Sequence, residues 1–195
     1  MLFTIIIPTI NRTRSIFHTL SSIFTQTYPR WEIIIVDSEN GKLDTTLQPL
    51  LSEERRIRYI KRPLITSSEA RAAGISAARG DIITFIDSDD YISPTHLQTH
   101  HDFFIAHPTV DMIVGKPTVI GSPYVKDAHP SDHYSHINTS PMHGTFFIRE
   151  HVFDTVRKLP EVDHGSLLHE LIRNHRFVTR HIPMPTYIYD RTGST

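Results

Sequence analysis

The sequence predicts an α/β fold built on a doubly wound parallel sheet. Strand-like and helix-like segments alternate through the first half of the chain, which is the pattern of such folds. The strand-like segments are continuous apolar runs, as is typical of strands buried on both faces of a parallel sheet. Two of these runs end in acids, at Asp37 and Asp87. Open parallel sheets bind ligands beyond the carboxyl ends of their strands, so these acids mark a candidate site.

The first half of the chain predicts four strand–helix units. The strands are the apolar runs, and each helix follows a capping residue or a stretch of helical periodicity. Gly80 suits the end of the third helix. In chain order, the elements are strand Phe3–Ile7 stopped by Pro8-Thr9, a helix capped by Asn11, strand Glu32–Val36, a weak helix Leu43–Leu51, strand Ile57–Lys61, a helix capped by Ser67 or Ser68, strand Ile82–Ile86, and a helix begun by Ser93-Pro94.

Periodicity also predicts which helix faces are buried. We expect the third helix to lie close against the sheet because its residues Ala70, Ala73, Ala77 and Ala78 are small. The inner face of the first helix is predicted to hold Ile16, Leu20, Ile23 and Phe24. The inner face of the fourth is predicted to hold Leu97, His101, Phe104 and Ile105.

The second half is less regular. It predicts a long loop with limited structure between Pro117 and Ser140, because Gly, Pro, Ser, Asp and His dominate there. Around this loop we expect strands Asp111–Gly115 and Thr145–Ile148, helices His151–Lys158 and Ser166–Asn174, and edge strands Phe177–Pro183 and Thr186–Tyr189.

The composition is that of a globular protein with no strong charge preference. The 195 residues suffice for one domain, 38% of them are hydrophobic, and the formal net charge is −1. No basic field attracts nucleic acid, so we expect no nucleic-acid partner. The absence of cysteine excludes disulfides, thiol nucleophiles and cysteine-based zinc sites. It also suits a reducing compartment.

No segment has the length of a membrane span. The longest apolar run near the N-terminus, Ile5–Ile7, is closed by Pro8 and lacks the features of a signal peptide. We therefore expect no transmembrane segment and a cytoplasmic location, with peripheral attachment to the inner face of a membrane as the alternative.

Three carboxylates follow the strand Ile82–Ile86, at Asp87, Asp89 and Asp90. Carboxylates are costly to bury unpaired, so they should lie beyond the strand end. Asp87 and Asp89 are two residues apart and can face one point. Hard oxygen ligands suit Mg²⁺ or Mn²⁺, which proteins often share with substrate phosphates. The alternative is an acidic turn that only ends a strand.

Other residues can reach the same edge of the sheet. The strand ends at Thr9 and Asp37 lie there, and Arg71 sits on the helix before the acidic strand. A cation and an arginine would neutralise a diphosphate, while the separate Asp37 could accept an N–H from a base. A nucleoside diphosphate would fit this set. Arg71 could instead pair with Glu69 or Asp81 at the surface.

Four motifs in this order and spacing resemble the family 2 glycosyltransferases. They are Ile5–Arg12, then Gln26–Tyr28 before Glu32–Asp37, then Ala70–Gly74, and then Gly80–Asp90. The resemblance is strong over the first half of the chain and loose beyond it. Each motif alone is weak, but four in order are specific.

The resemblance implies a GT-A fold, which is a Rossmann-like, mostly parallel central sheet flanked by helices with a smaller acceptor-side region. It implies one domain, 1–195, with a nucleotide-sugar-binding half (1–110) and an acceptor and catalytic half (111–195). The implied activity is metal-dependent, inverting transfer from a nucleoside-diphosphate sugar, most often a UDP-sugar, to a hydroxyl acceptor in glycan or polysaccharide synthesis. The implied cofactor is Mn²⁺ or Mg²⁺.

The resemblance also assigns roles by position. Asp89 would be the main metal ligand and Asp87 would reach the metal or the ribose. The other donor-site residues would contact the base or the diphosphate, and they are Thr9, Asn11, Asp37, Arg71 and Ser88. The general base would be Asp163, with Glu161 as the second candidate.

The chain departs from the family pattern in three places. Ser38 stands where many members have a second acid, Ala72 where many have Asn, and His164-Gly165 where an acid pair is usual. These departures keep open a catalytically impaired nucleotide-sugar-binding module. A nucleotidyltransferase is a further rival, but Pro8–Arg12 has no glycine for a phosphate loop.

Histidine is abundant, with 14 residues, and all but His18 lie at His96 or beyond. His96 and His100 have i, i+4 spacing on a predicted helix, with His101 beside them and His129, His133 and His136 in the later loop. A zinc site is one interpretation. We favour the other, which is solvated histidines on an exposed helix and loop.

Overall fold

The computed structural model describes residues 1–10, 15–38, 43–126, 134–136, 143–156, 177–183 and 185–190. The strands in these ranges are β1 (Phe3–Thr9), β2 (Trp31–Asp37), β3 (Ile57–Lys61), β4 (Ile82–Phe85), β5 (Tyr91–Ile92), β6 (Met112–Val114), β7 (Thr118–Ile120), β8 (Tyr124–Lys126), β9 (Tyr134–His136), β10 (Phe146–Arg149), β11 (Thr179–His181) and β12 (Tyr187–Asp190). The helices are α1 (Ser15–Phe24), α2 (Leu43–Glu53), α3 (Ser67–Ala77), α4 (His96–Ala106) and α5 (Glu150–Val156).

The central sheet has seven strands in the order β11–β6–β10–β4–β1–β2–β3. All neighbours are parallel except β10, which runs antiparallel to both β4 and β6. The chain builds β1, β2 and β3 outward and then returns to place β4 on the other side of β1. The topological switch point, where such sheets bind ligands, therefore lies between β1 and β4. The predicted mostly parallel α/β sheet is confirmed.

Helices cover both faces of this sheet. The odd-numbered core positions of β1 and β2 pack with buried residues of α1, α2 and α4, and the even-numbered ones pack with those of α3 and α5. Every residue of β1 and β2 is buried, which explains why their sequences are continuous apolar runs. None of the described helices is long and apolar enough to cross a membrane.

Helix α3 lies close against the sheet, as its small residues predicted. A Cβ added to Gly74 would come within 2.4 Å of Ile6 Cγ2 on β1. The helix begins with a capping box, in which Thr66 Oγ1 accepts from the Glu69 backbone N–H and the Glu69 side chain accepts from Thr66 N. The cap is therefore Thr66 and not Ser67 or Ser68.

Strand β1 continues through Pro8 to Thr9, although Pro8-Thr9 was expected to stop it. Its pairing with β4 ends at Ile6, opposite Phe85, so no partner on that side needs the N–H that Pro8 lacks. The helix cap predicted at Asn11 lies outside the described residues.

The second half contains more sheet than the sequence predicted. Strands β7, β8 and β9 lie within the predicted loop 117–140. The predicted edge strand near Tyr187 is instead β12, the middle strand of a three-stranded sheet in the order β5–β12–β7. Strand β11 is at the edge of the large sheet, as expected. The predicted helix 166–174 lies outside the described residues.

Two predicted helix faces need correction. Phe24 on α1 is 40% exposed and Ile105 on α4 is 63% exposed. The inner face of α4 is instead rotated toward His96 and His100, which are each 1% exposed. The expectation of solvated histidines is therefore wrong for this pair. The His100 ring stacks on Phe147 with centroids 3.5 Å apart, so the imidazole serves as a flat core side chain.

Candidate functional site

A cavity of about 460 Å³ lies at the carboxyl ends of β1 and β4. It is at the topological switch point, where ligand binding is expected for this topology. Four separate segments form its walls, and the lining residues are Pro8, Thr9, Ile10, Ser67, Arg71, Asp87, Ser88, Asp89 and Tyr189. The structure thus brings together five predicted donor-site residues, namely Thr9, Arg71, Asp87, Ser88 and Asp89.

Arg71 and Asp87 form an ion pair in this cavity. Arg71 Nη2 donates to Asp87 Oδ1 at 2.7 Å, with the Arg71 side chain 10% exposed. Neither surface alternative for Arg71 occurs, because Glu69 bonds to the cap of α3 and Asp81 accepts from Leu2 N at 2.7 Å. Within the described residues, the buried Nε of Arg71 has no hydrogen-bond partner. Arg71 therefore brings a positive charge to the cavity wall.

Local structure explains why Arg71 faces the cavity. It lies one helical turn after Ser67, so both residues are on the same face of α3. Gly74, three residues further along, presses the helix onto β1.

The acids that follow β4 divide between two environments. Asp87 and Asp89 line the cavity. Asp90 is 1% exposed and accepts a hydrogen bond from the Tyr187 hydroxyl. Burial raises the pKa of Asp90 to about 8, and burial also raises the pKa of Tyr187 well above its usual value. The turn closes with Asp90 N donating to Asp87 O at 3.0 Å.

These residues fit a divalent cation that is shared with a ligand. No group of three or more His, Asp or Glu side chains in the described parts of the chain forms a metal cage. Two carboxylates at one cavity are the donor set from which Mg²⁺ or Mn²⁺ is held when substrate phosphates complete the coordination. Asp87 and Asp89 would be the ligands from this chain.

Asp37 is placed differently from the other predicted residues. It is opposite Thr9 in the β1–β2 register, but it is 1% exposed and does not line the cavity. The Tyr59 hydroxyl donates to Asp37 Oδ2. Burial, followed by this bond, raises the pKa of Tyr59, so the phenol remains the donor. The structure thus brings Asp37 next to the cavity wall but not into the cavity.

Three predicted site residues, Asn11, Glu161 and Asp163, lie outside the described residues, as do His129 and His133. The sequence prediction missed Tyr187 and Tyr189. Residues two apart on a strand share a face, so the alternation in Tyr187-Ile188-Tyr189 could have indicated them. The assignment of that segment as an edge strand hid the pattern.

Comparison with known families identifies this architecture. A sequence model described as Glycosyl transferase family 2 matches residues 4–162. The chain belongs to glycosyltransferase family 2. The predicted family is therefore confirmed.

Curated relatives of this glycosyltransferase domain are bacterial and much longer. Glycosyltransferase GlyA of Streptococcus pneumoniae is 32% identical over 113 residues, which are 57% of this chain and 16% of GlyA. The poly(ribitol-phosphate) beta-N-acetylglucosaminyltransferase TarS of Staphylococcus aureus is 28% identical over 125 residues, which are 62% of this chain and 22% of TarS. The matched region thus covers less than a quarter of the length of each of these two relatives.

Solved glycosyltransferase structures share the fold. Staphylococcus aureus TarS 1-349 superposes with a TM-score of 0.73 at 21% identity, covering 97% of this chain and 60% of that one. The same TarS piece has also been solved with UDP-GlcNAc, with a TM-score of 0.72 at 19% identity. A Pyrobaculum calidifontis mannosyltransferase with GDP-Man and Mn²⁺ superposes with a TM-score of 0.71 at 16% identity, covering 96% of this chain and 56% of that one. The predicted GT-A fold is confirmed.

Proposed function

We propose that this family 2 domain transfers a sugar from a UDP-sugar to a hydroxyl acceptor, with inversion and with the help of Mn²⁺ or Mg²⁺, in glycan or polysaccharide synthesis. The observation that supports it best is the meeting of Arg71, Asp87 and Asp89 at one cavity between β1 and β4. Two solved relatives of the same fold carry a nucleotide sugar, UDP-GlcNAc in TarS and GDP-Man in the mannosyltransferase.

The cavity residues suit a diphosphate. Asp87 and Asp89 would hold the divalent cation, which supplies positive charge where the leaving diphosphate gains negative charge. Arg71 adds a second positive charge, and a guanidinium group suits hydrogen bonds to phosphate oxygens. Ser67 and Ser88 line the same walls and can donate hydroxyl hydrogen bonds. The donor half of the domain, 1–110, provides all of these groups.

The nucleobase of the donor would lie near the ends of β1 and β2. Thr9 Oγ1 is buried at the cavity and has no partner within the described residues, so it can bond to a base or a ribose. Asp37 is its register neighbour and could accept a base N–H. Because Asp37 is 1% exposed, this contact requires the side chains that cover it to move. Asn11 is the third proposed residue of this subsite.

Inversion by direct displacement needs a base on the face of the sugar opposite the diphosphate. The second half of the domain, 111–195, would supply it together with the acceptor contacts. We assign the base to Asp163, with Glu161 as the alternative. A catalytically impaired nucleotide-sugar-binding module is the competing function, and it would bind a UDP-sugar without turning it over with any acceptor.

The test is the substitution Asp89→Ala, assayed with a panel of UDP-sugars for transfer and for donor hydrolysis. Removing one of two cation ligands should lower the Mn²⁺-dependent rate by at least about 100-fold. Asp81→Ala is the matched control, because Asp81 lies at the opposite end of β4 and bonds to Leu2 N. Full activity of the wild type in chelator-treated buffer would contradict the metal requirement.

A further inference from the structure

Tyr187 connects the acidic turn to the second half of the chain. Its side chain is 0% exposed. Its hydroxyl donates a hydrogen bond to Asp90 Oδ2 and accepts one from the Asp87 backbone N–H at 3.3 Å. One hydroxyl therefore contacts the first and the last residue of the turn that carries Asp89.

The surroundings of Tyr187 fix its ring. A Cβ added to Gly144 would lie 2.1 Å from two ring carbons, so only a glycine leaves room for the ring. The strand that carries Tyr187 is paired on both sides, with β5 and with β7. The preceding residue, Thr186, has its Oγ1 2.6 Å from Nδ1 of the buried His96. These contacts hold the Tyr187 hydroxyl in one position, and the turn 87–90 is bonded to it there.

We infer that Tyr187 is a positioning residue for the cation site, because its hydroxyl turns Asp90 into the protein and leaves Asp87 and Asp89 facing the cavity. The inference rests on the proposed function, which assigns a divalent cation to Asp87 and Asp89. Groups that orient metal ligands without touching the metal typically contribute 10- to 100-fold in metal affinity. The hydroxyl of Tyr187 makes two such contacts, one at each end of the turn.

The test compares Mn²⁺ binding to the wild type and to Tyr187→Phe by isothermal titration calorimetry, with Mn²⁺ alone and with UDP present. The ring and its fit over Gly144 remain in Tyr187→Phe, and only the hydroxyl is lost. The Kd for Mn²⁺ should rise by about 10-fold. The measurement needs no acceptor and no turnover, so it does not depend on catalysis.

Tyr28→Phe is the matched control. Tyr28 is also buried, at 7% exposed, and its hydroxyl donates to the Met1 carbonyl at 2.6 Å. It lies near the start of β1, at the opposite end of the sheet from the cavity. Tyr28→Phe loses one hydrogen bond and Tyr187→Phe loses two, so both variants should lose some stability. Only Tyr187→Phe should lose affinity for Mn²⁺, which a merely structural role would not produce.

A second pair of variants covers the case in which Tyr187→Phe does not fold. Asp90→Asn keeps an oxygen that can accept from the Tyr187 hydroxyl, whereas Asp90→Ala removes it. We expect Asp90→Ala to weaken Mn²⁺ binding by about 10-fold and Asp90→Asn to bind within about threefold of the wild type. A loss of the same size in both would show that the effect does not depend on the hydrogen bond that the oxygen at position 90 accepts, and would overturn the inference.

The outcomes separate the two proposals. If the wild type binds Mn²⁺ and Tyr187→Phe binds it as tightly, the positioning role is wrong and the cation site stands. If Tyr28→Phe loses as much affinity as Tyr187→Phe, the effect is a general loss of stability and the positioning role is again wrong. If the wild type binds no Mn²⁺ with or without UDP, the cation of the proposed function is wrong, and the inference is wrong with it.

Discussion

The three aspartates that follow β4, Asp87, Asp89 and Asp90, lie in different environments although they are close together in the sequence. Asp87 is paired with Arg71 at the cavity, with its side chain 34% exposed. Asp90 is buried, and burial disfavours its charged form, so its pKa rises to about 8. The spacing of two residues singles out Asp87 and Asp89 in the sequence, but it does not show where the side chain of Asp90 points. The structure shows that Asp90 is buried and accepts a hydrogen bond from Tyr187, which lies far away in the chain.

The buried histidines on α4 give a second residue-level effect. His100 Nδ1 lies 2.7 Å from the His96 carbonyl oxygen, so it is the protonated ring nitrogen of a neutral imidazole. Burial lowers the pKa of His100 to about 3 and the pKa of His96 well below its usual value. Folding therefore favours the neutral form of both rings.

His100→Gln should change how stability depends on pH. An unfolded His titrates near pH 6.5, so between pH 6.5 and 3 the unfolded chain binds the proton more readily. The stability that neutral His100 contributes is present above pH 6.5 and is lost as the pH falls. At pH 5 the loss relative to pH 7.5 should be about 2 kcal/mol. Urea unfolding of the wild type and of His100→Gln gives their free energies of unfolding at the two pH values. The loss is the change, between the two pH values, in the difference between these free energies.

The wild type must be compared with His100→Gln, because burial of Asp90 changes the stability of both proteins with pH in the opposite direction. Its raised pKa makes the folded chain bind a proton between about pH 4 and pH 8, so stability from this group rises as the pH falls. Phe104→Leu is the control for packing on the inner face of α4 and should cost the same at both pH values. A His100→Gln difference that does not change with pH would contradict the prediction.

At the scale of elements, α3 is the part of the site that the sequence predicted best. Its small residues predicted close packing, and the Gly74 contact with Ile6 confirms it. The prediction of its cap, Ser67 or Ser68, was wrong by one or two positions, because Thr66, Ser67 and Ser68 are all good caps and the reciprocal bond to Glu69 selects Thr66. The helix face that carries Arg71 follows from the periodicity once the start is fixed.

The loop between β3 and α3 holds a strained residue. Leu64 has a φ of 64° and is the one positive-φ residue other than glycine in the described ranges. Leu64 is 91% exposed, so packing of its side chain does not offset the backbone strain. Its N–H donates to the Ser38 carbonyl at 3.0 Å, which fixes the loop against the end of β2. A left-handed conformation costs a leucine about 1 kcal/mol.

Leu64→Asn should therefore stabilise the protein by about 1 kcal/mol, since Asn adopts this conformation at lower cost. Urea denaturation with an unchanged slope checks the prediction. Leu64→Ala is the matched control, because alanine keeps the Cβ that causes the strain while it removes the exposed apolar side chain. An equal gain in Leu64→Ala would assign the effect to the lost apolar surface instead of the backbone.

At the scale of the whole molecule, both halves of the chain build the large sheet. Strands β6, β10 and β11 come from residues after 110 and continue the sheet from β4. Tyr189 lines the cavity and Tyr187 holds the acidic turn, although both lie in the half that was assigned to the acceptor. The division at residue 110 therefore describes proposed roles and not separable structural parts.

The same scale shows which features the sequence could predict. Continuous apolar runs predicted β1, β2 and β4 and the edge at which Asp87 and Asp89 gather, because burial on both faces leaves a local pattern. The short strands of the second half left no such pattern, and β12 owes its central place to partners at β5 and β7. The burial of Asp37 likewise depends on Tyr59, a contact that no local pattern predicts.

The general base is the last residue that the proposed reaction needs. Asp163→Asn keeps the size of the side chain but removes its ability to accept a proton, so turnover should fall by about 10²–10⁴-fold. Binding of UDP and Mn²⁺ should be unchanged, because the proposed site for those ligands is the cavity at β1 and β4. Glu161→Gln is the matched variant and should keep near wild-type turnover.

If Glu161→Gln lowers turnover and Asp163→Asn does not, the base is Glu161. If neither lowers turnover of an active wild type, both assignments are wrong. A wild type that binds UDP-sugars but turns over none with any acceptor would favour the binding module.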